Sequence, residues 1–385
     1  MTREAYITGV GMSEIGVGLE RHPLLLTTDA VKEALANAGL TIEQIDGVAT
    51  YPGMSHGYPG FSPVGADDLI DTLGIKAKWY CGGGELTSQL GAVVEAALAV
   101  KAGLARHIIC YRTVYEAAAM KRPDEYPMAR SPRASGYNQF FAPYNAVSAV
   151  NWVAQYAMRH VHRYGLTREQ LAQIALTGRA NGCLNPRALV QKPLSMDEYL
   201  SARMISEPLC LFDCDRYSDA STVLIVSAGD ALGDVTATPI RIASMAGSVN
   251  RLSWDQAEWM ASYDTGPDLW THTDYGPKDV DTVQLYDGFS FLTLTWLEAL
   301  GFCDIGEGGR FIEGGQRIAR DGELPLNTFG GQISAGRLHG FGFAHEAVVQ
   351  LRGDAGERQI ANSPKVAVAA SGGGPLATAL LLAND

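Results

Sequence analysis

At 385 residues, with 46% hydrophobic and 19% charged content, the chain has the composition of a globular protein with a large core and room for two ordinary domains. Its 42 acidic against 30 basic residues leave a formal charge of −12, which excludes the basic face that nucleic-acid binding requires. Neither a charged-then-apolar leader nor an apolar run long enough to cross a bilayer is found, so a cytoplasmic protein without a membrane span is expected.

In chain order, 5–11 reads as a buried strand closed by glycine, and 28–38 has helical spacing that stops at Gly39. Short strands are predicted at 48–51 and 107–111. Between them 87–101 is apolar nearly all round, with Glu95 and Lys101 its only charges, so this helix belongs inside the protein. It follows Gly82, Gly83 and Gly84, and free backbone N–H groups at its start would point into a site there. Alternating strands and helices predict an α/β fold with helices packed on a mostly parallel sheet.

The rhythm breaks over 113–217. A Pro- and Arg-containing loop (Arg122-Pro123, Ser131-Pro132-Arg133) precedes a helix at 149–164 closed by Gly165, and Thr167 with Gln170 forms a capping box for the next. This stretch reads as an insertion covering one end of the sheet. From Pro239 the alternation returns. Residues 45–51 and 280–286 share a cadence that a duplicated βαβ core explains, dividing the chain into halves at 1–235 and 236–385.

The six cysteines (Cys81, Cys110, Cys183, Cys210, Cys214, Cys303) include no CxxC pair, so reduced thiols and no metal are expected. His160 and His162 cannot share a helix face, and His345 reads as a packed helix residue. Lys121, Arg122, Arg130 and Arg133 fit a solvated loop or contacts to phosphates. Tyr137, Phe140, Phe141 and Tyr144 fit either core packing or the wall of a wide apolar pocket.

Three C-terminal stretches carry most of the functional information: Leu285-Tyr286-Asp287-Gly288-Phe289, Gly336-Arg337-Leu338-His339-Gly340 and Ala370-Ser371-Gly372-Gly373-Gly374. Their glycine spacing and order resemble the active-site loops of the thiolase superfamily, in particular its sterol-carrier-protein-X branch. The resemblance implies a five-layered αβαβα sandwich. In that branch a working thiolase carries His where Tyr286 stands, His where Arg337 stands and Cys where Ala370 stands. The nucleophilic Cys of the buried helix falls here near Leu86. Two missing thiols make carbon–carbon bond formation through an acyl-enzyme a poor fit.

The set that remains, a phenol, a guanidinium, an imidazole and a carboxylate, suits proton transfer and anion stabilisation. It resembles the steroid side-chain-cleaving acyl-CoA aldolases, which lack the thiolase cysteine. What that implies is retro-aldol cleavage of a β-hydroxyacyl-CoA, from a steroid or bile-acid side chain, to a ketone or aldehyde plus a short acyl-CoA. Tyr286 would be the base, with its phenol pKa lowered by Arg337. Asp287 would orient it or cap a helix, and the proton donor to the enolate would be His339 or a water. Gly331, Gly372 and Gly373 would offer backbone donors to the enolate oxygen. The resemblance further implies a homodimer whose subunits each bind a small OB-fold and zinc-ribbon partner, forming a heterotetramer. The zinc would lie in the partner, and no cofactor in this chain beyond the coenzyme A of the substrate. Two other readings stay open: an acyltransferase using Cys81 through a shifted register, and a non-catalytic lipid- or acyl-CoA-binding subunit.

Overall fold

Strand β1 (Ala5–Met12) carries Gly9 and Gly11 on the face that meets helix α1 (Pro23–Ala38). A Cβ on Gly11 would lie 2.2 Å from the Ala30 carbonyl oxygen, so the helix backbone rests directly on the strand. The helix starts five residues earlier than its apolar spacing predicts. Pro23 occupies the first turn, where its missing N–H costs nothing, and Gly39 ends the helix at φ 73°.

A computed structural model describes residues 3–54, 58, 60–83, 86–127, 133, 138–250 and 259–385. After α1 come β2 (Gly47–Thr50), α2 (Ala66–Leu73), β3 (Trp79–Cys81), α3 (Gly91–Lys101) and β4 (His107–Tyr115). The region 113–217 then supplies α4 (Glu116–Lys121), α5 (Asn138–Phe141), α6 (Ala149–Tyr164), α7 (Arg168–Gly182), α8 (Met196–Leu200) and a small ribbon of β5 (Met204–Ser206) and β6 (Leu209–Cys210). The main sheet resumes with β7 (Asp219–Ala228) and β8 (Ile240–Val249). Helices α9 (Ser262–Leu269), α10 (Ser290–Ala299), α11 (Gly308–Phe311), α12 (Gly331–Ser334) and α13 (Phe341–Arg352) intervene among β9 (Thr282–Gln284), β10 (Val366–Gly372) and β11 (Leu376–Ala383).

The main strands hydrogen-bond in the order β3-β2-β4-β7-β1-β8-β11-β10-β9. Strand β2 runs parallel to β4, and β4, β7 and β1 alternate antiparallel. Strand β9 runs parallel to β10, and β10, β11 and β8 alternate antiparallel. The second run repeats the first, and the two join through two residue pairs between β1 and β8. The cadence shared by 45–51 and 280–286 thus marks β2 and β9, strands in matching places.

Three apolar layers account for the architecture. One lies between the half-sheets and contains α3 and α13, with Val93, Ala96, Val100, Phe343, Ala347 and Leu351 buried in it. A second packs α1 and α2 on the outer face of the first half-sheet. A third packs α9, α10 and α6 against the second. Helix, sheet, helix, sheet, helix is the five-layered αβαβα sandwich. Helix α10 is buried along its whole length, and α6 closes over it from the insertion. No helix among the described residues is long and apolar enough to cross a membrane.

Candidate active site

The loops that follow the parallel strands β2, β4 and β9 meet the turn that opens α13, at the carboxyl ends where open α/β sheets place their ligands. Strand β4 is buried throughout, yet carries Arg112 in its middle and runs straight into the buried Glu116. A charge on a wholly buried strand requires a partner. The partners come from residues 215–217 and 337–339.

Arg337 is saturated. Its Nε and Nη2 donate to Asp215 at 2.8 and 2.6 Å, and its Nη1 donates to both Glu116 oxygens at 3.2 and 3.3 Å. The guanidinium also stacks over the Tyr217 ring, 4.0 Å from its centroid. Burial opposes the charge, but Asp215 and Glu116 outweigh it and hold Arg337 well above the usual range. Burial raises the Glu116 carboxyl, and Arg337 works against that shift. This fork is geometry that a lysine cannot reproduce.

His339 is buried at φ 46°, a left-handed conformation that side chains other than glycine seldom adopt. Its Nδ1 accepts from Arg112, at 2.8 Å from Nη2 and 3.3 Å from Nε. Arg112 has no acceptor to offer, so Nδ1 presents a lone pair and the ring proton sits on Nε2. Burial, then Arg112 and Arg337, push the imidazole pKa far below its ordinary value. His339 is therefore neutral, which corrects its expected role as an acid for the enolate: it holds a hydrogen-bond donor at Nε2, not a mobile proton. The nearest carboxylate oxygen, on Glu116, lies 3.8 Å from Nε2. Arg112 itself is pulled down by burial to about 10, and donates its Nη1 to the Tyr51 carbonyl at 3.0 Å.

Tyr286 follows β9, its ring half-buried against Phe343 with centroids 6.0 Å apart. Burial raises the phenol pKa and Asp215 adds to the shift. Arg337 and Gln332 oppose it without reversing it. The lowered phenol expected from Arg337 is thus not found, because that cation is already neutralised by two carboxylates. Asp287 is buried and accepts from the Gln332 backbone N–H at 2.7 Å. It therefore caps α12, not the helix that follows it in sequence. Burial lifts its carboxyl pKa to about 8. Gly331 is required here: its φ is 61°, and a Cβ would stand 1.8 Å from the Asp287 Oδ2.

The second glycine turn plays another part. Gly372 pairs with Ala377, and the Gly373 N–H donates to the Leu376 carbonyl at 2.7 Å, closing the β10–β11 hairpin. The expected oxyanion role of Gly373 is corrected accordingly, since its donor is spent on the turn, while the Gly372 carbonyl accepts from the Trp296 Nε1 at 3.0 Å. At the start of α3 the N–H groups of Gly91 and Ala92 donate to Ser88 and Gln89 carbonyls, and that of Leu90 to the Ser371 Oγ. This start offers no such open donors. Gly84 and Glu85 lie outside the described residues. Close in sequence to Leu86 and Ala370, hydroxyls are joined: Ser88 bonds Ser371 and Thr378, and Thr378 bonds Thr87.

Cys81 ends the edge strand β3 and is half-buried. His160 is bonded to Glu298 at 2.9 Å, and no metal cluster occurs among the described residues. His345 lies in α13, its pKa driven down to about 3 by burial, then by Arg187, Arg358 and Arg352. Lys121 and Arg122 tie back to the Val17 and Leu19 carbonyls, while Arg130 and Tyr137 lie outside the described residues. Phe140 and Tyr144 are exposed, which corrects the core-packing reading for them, and Phe141 is half-buried. A cavity of about 660 Å³ opens beside the start of α3 between Leu86, Val94, Met245 and Val249, and no member of the charged cluster lines it.

Sequence reasoning missed Arg112, Glu116, Asp215, Tyr217 and Gln332. The first two carried a signal, charges inside and just after an apolar strand. The others lie in loops whose convergence only the fold creates.

Comparison with known proteins places these features. A family profile described as thiolase C-terminal domain-like matches residues 253–383. A steroid side-chain-cleaving aldolase of Thermomonospora curvata is 30% identical over 367 residues, covering 91% of this chain and 90% of that protein. The 17-hydroxy-3-oxo-4-pregnene-20-carboxyl-CoA lyase of Mycobacterium tuberculosis is 30% identical, covering 92% of each. The solved Ltp2-ChsH2(DUF35) aldolase superposes with a TM-score of 0.86 at 28% identity, over 99% of this chain and 98% of that one.

Proposed function

Because this chain belongs to the thiolase superfamily, among the relatives of its steroid side-chain-cleaving aldolases, we propose that it cleaves a β-hydroxyacyl-CoA carried on a steroid side chain by a retro-aldol reaction. The observation that carries this reading is a phenol beside a buried cluster of two guanidiniums, two carboxylates and an imidazole, with Leu86 and Ala370 where acyl transfer would need thiols.

Tyr286, in its small ionised fraction, takes the proton of the β-hydroxyl. The C–O bond becomes a carbonyl, the Cα–Cβ bond breaks, and its electron pair moves into the thioester as an enolate. The neutral His339 donates its Nε2–H to the enolate oxygen, a role in which a neutral imidazole is better matched than an imidazolium. Tyr286 then returns its proton to Cα, so the proton count closes without a second acid. Arg337 holds Asp215 and Glu116 in place, and Asp287 fixes the loop that carries Tyr286. The products are a steroid ketone or aldehyde and a short acyl-CoA.

The name of the solved Ltp2-ChsH2(DUF35) neighbour supports a partner subunit for this chain as well. We propose a homodimer in which each chain binds one small OB-fold and zinc-ribbon protein, with any zinc held by that partner, acting in the cytoplasm. The halves 1–235 and 236–385, with 113–217 inserted in the first, are the proposed units of its evolution. Co-expression with a zinc-ribbon partner, then mass spectrometry of products from β-hydroxyacyl-CoA steroids, tests the function. A ketone or aldehyde plus a short acyl-CoA is expected. Intact thioester across the panel, with the complex folded, overturns it.

A further inference from the structure

Among the described residues, Gln332 is a buried member of the cluster with half of its carboxamide hydrogen bonding unmet. It is fully buried on α12. Its backbone N–H holds Asp287 at 2.7 Å, and its Oε1 accepts from the His339 backbone N–H at 2.8 Å. A backbone N–H can only donate, so the carboxamide orientation is settled: oxygen toward 339, nitrogen away. That nitrogen, Nε2, meets no acceptor in good hydrogen-bond geometry, yet Gln332 lies near enough to the Tyr286 phenol to hold its pKa down. A buried unpaired amide donor costs stability, about as much as losing a hydrogen bond, unless function recovers it.

We infer that Gln332 is a positioning residue for the proposed cleavage, holding an amide N–H ready for the Tyr286 oxygen as that oxygen gains negative charge. The inference rests on the retro-aldol reading. The charged groups around the phenol are Asp215, Glu116, Arg337 and Arg112, with Asp287 next in sequence. The carboxylates cancel the cations. A neutral donor is then the group left to favour the phenolate, and Gln332 makes it without adding charge.

The experiment compares kcat/KM from about pH 6 to about pH 10 for the wild type, Gln332→Met and Gln332→Glu. Glu keeps an oxygen for the His339 N–H, removes both amide donors and places a carboxyl against the phenol. Gln332→Met is expected to be about tenfold slower or more, since each unit of phenol pKa is worth a factor of ten, with its profile rising parallel to that of the wild type while both phenols are protonated. Gln332→Glu is expected to show the larger deficit, widening as the new carboxyl ionises beside the phenol, and it serves alone if the Met variant does not fold. No deficit in either variant, or a Gln332→Glu deficit that does not widen as pH rises, overturns the inference. A wild type that cleaves no β-hydroxyacyl-CoA refutes the functional reading instead, so the two failures are distinct.

Discussion

Arg337→Met tests the electrostatic frame of the site. The guanidinium joins two carboxylates whose side chains are only 3% and 2% exposed, Asp215 and Glu116. Removing a single partner from such a buried set costs about 3–5 kcal/mol, because an anion is left without compensation. At about 2.1 cal/mol/K of unfolding entropy per residue, a chain of 385 residues shifts by about 1.2 °C per kcal/mol, so Tm should fall by about 4–6 °C at pH 8. The sign of the pH dependence follows. Burial already raises the Glu116 carboxyl above its unfolded value, and without Arg337 the larger of the two cations opposing that shift is gone, leaving Arg112. A raised carboxyl stabilises the fold below its unfolded pKa and loses that contribution as pH rises through the folded value. The deficit should therefore shrink on going from about pH 8 to about pH 5. Arg337→Lys keeps the charge but not the fork, and should lie between wild type and Met. Differential scanning calorimetry at the two pH values reads all of this. An Arg337→Met protein within about 1 °C of wild type at pH 8, or a deficit blind to pH, would refute the reasoning.

Tyr286→Phe should keep Tm within about 1 °C, since the ring still packs on Phe343, and should lower kcat/KM by about 10²–10⁴ in the cleavage assay. Asp287→Asn retains an oxygen for the Gln332 N–H. Because the Asp287 carboxyl is raised to about 8, its stabilisation is full below the unfolded pKa of about 4 and lost as pH rises through 8; the Asn variant should show a flatter Tm between about pH 6 and about pH 9. Gly331→Ala sets a Cβ against Asp287 at a φ of 61°, so thermal melts should show a loss of at least about 2 kcal/mol, or no folded protein. His345, held neutral with a pKa of about 3, contributes stability above its unfolded value of about 6.5 that is lost as pH falls through 3; His345→Gln should soften acid unfolding in that window, read by circular dichroism.

Much of this was legible in one dimension because it depends on local pattern. The period of apolar residues located α3 and α6, although α3 begins at Gly91, four residues late, where the 87–90 segment instead turns onto Ser371. Glycine spacing around Tyr286, Arg337 and Gly372 marked the loops, and the missing thiols at Leu86 and Ala370 narrowed the chemistry. The same residues misled where a role depends on who stands opposite. Arg337 reads as a cation available to a phenol until Asp215 and Glu116, distant in sequence, are found to occupy it. His339 reads as an acid until Arg112 arrives from β4 to claim Nδ1. Gly373 reads as an oxyanion donor until Leu376 accepts its N–H.

The order of residues by itself determined the layered α/β frame and the repeated cadence of its two half-sheets, since periodicity and turn glycines are properties of short segments. Tertiary structure alone decided which groups are charged, which are neutral and which donor is left open. Those are set by burial and by Coulombic partners more than a hundred residues apart, brought within hydrogen-bond reach only when β4, β9 and the start of α13 converge.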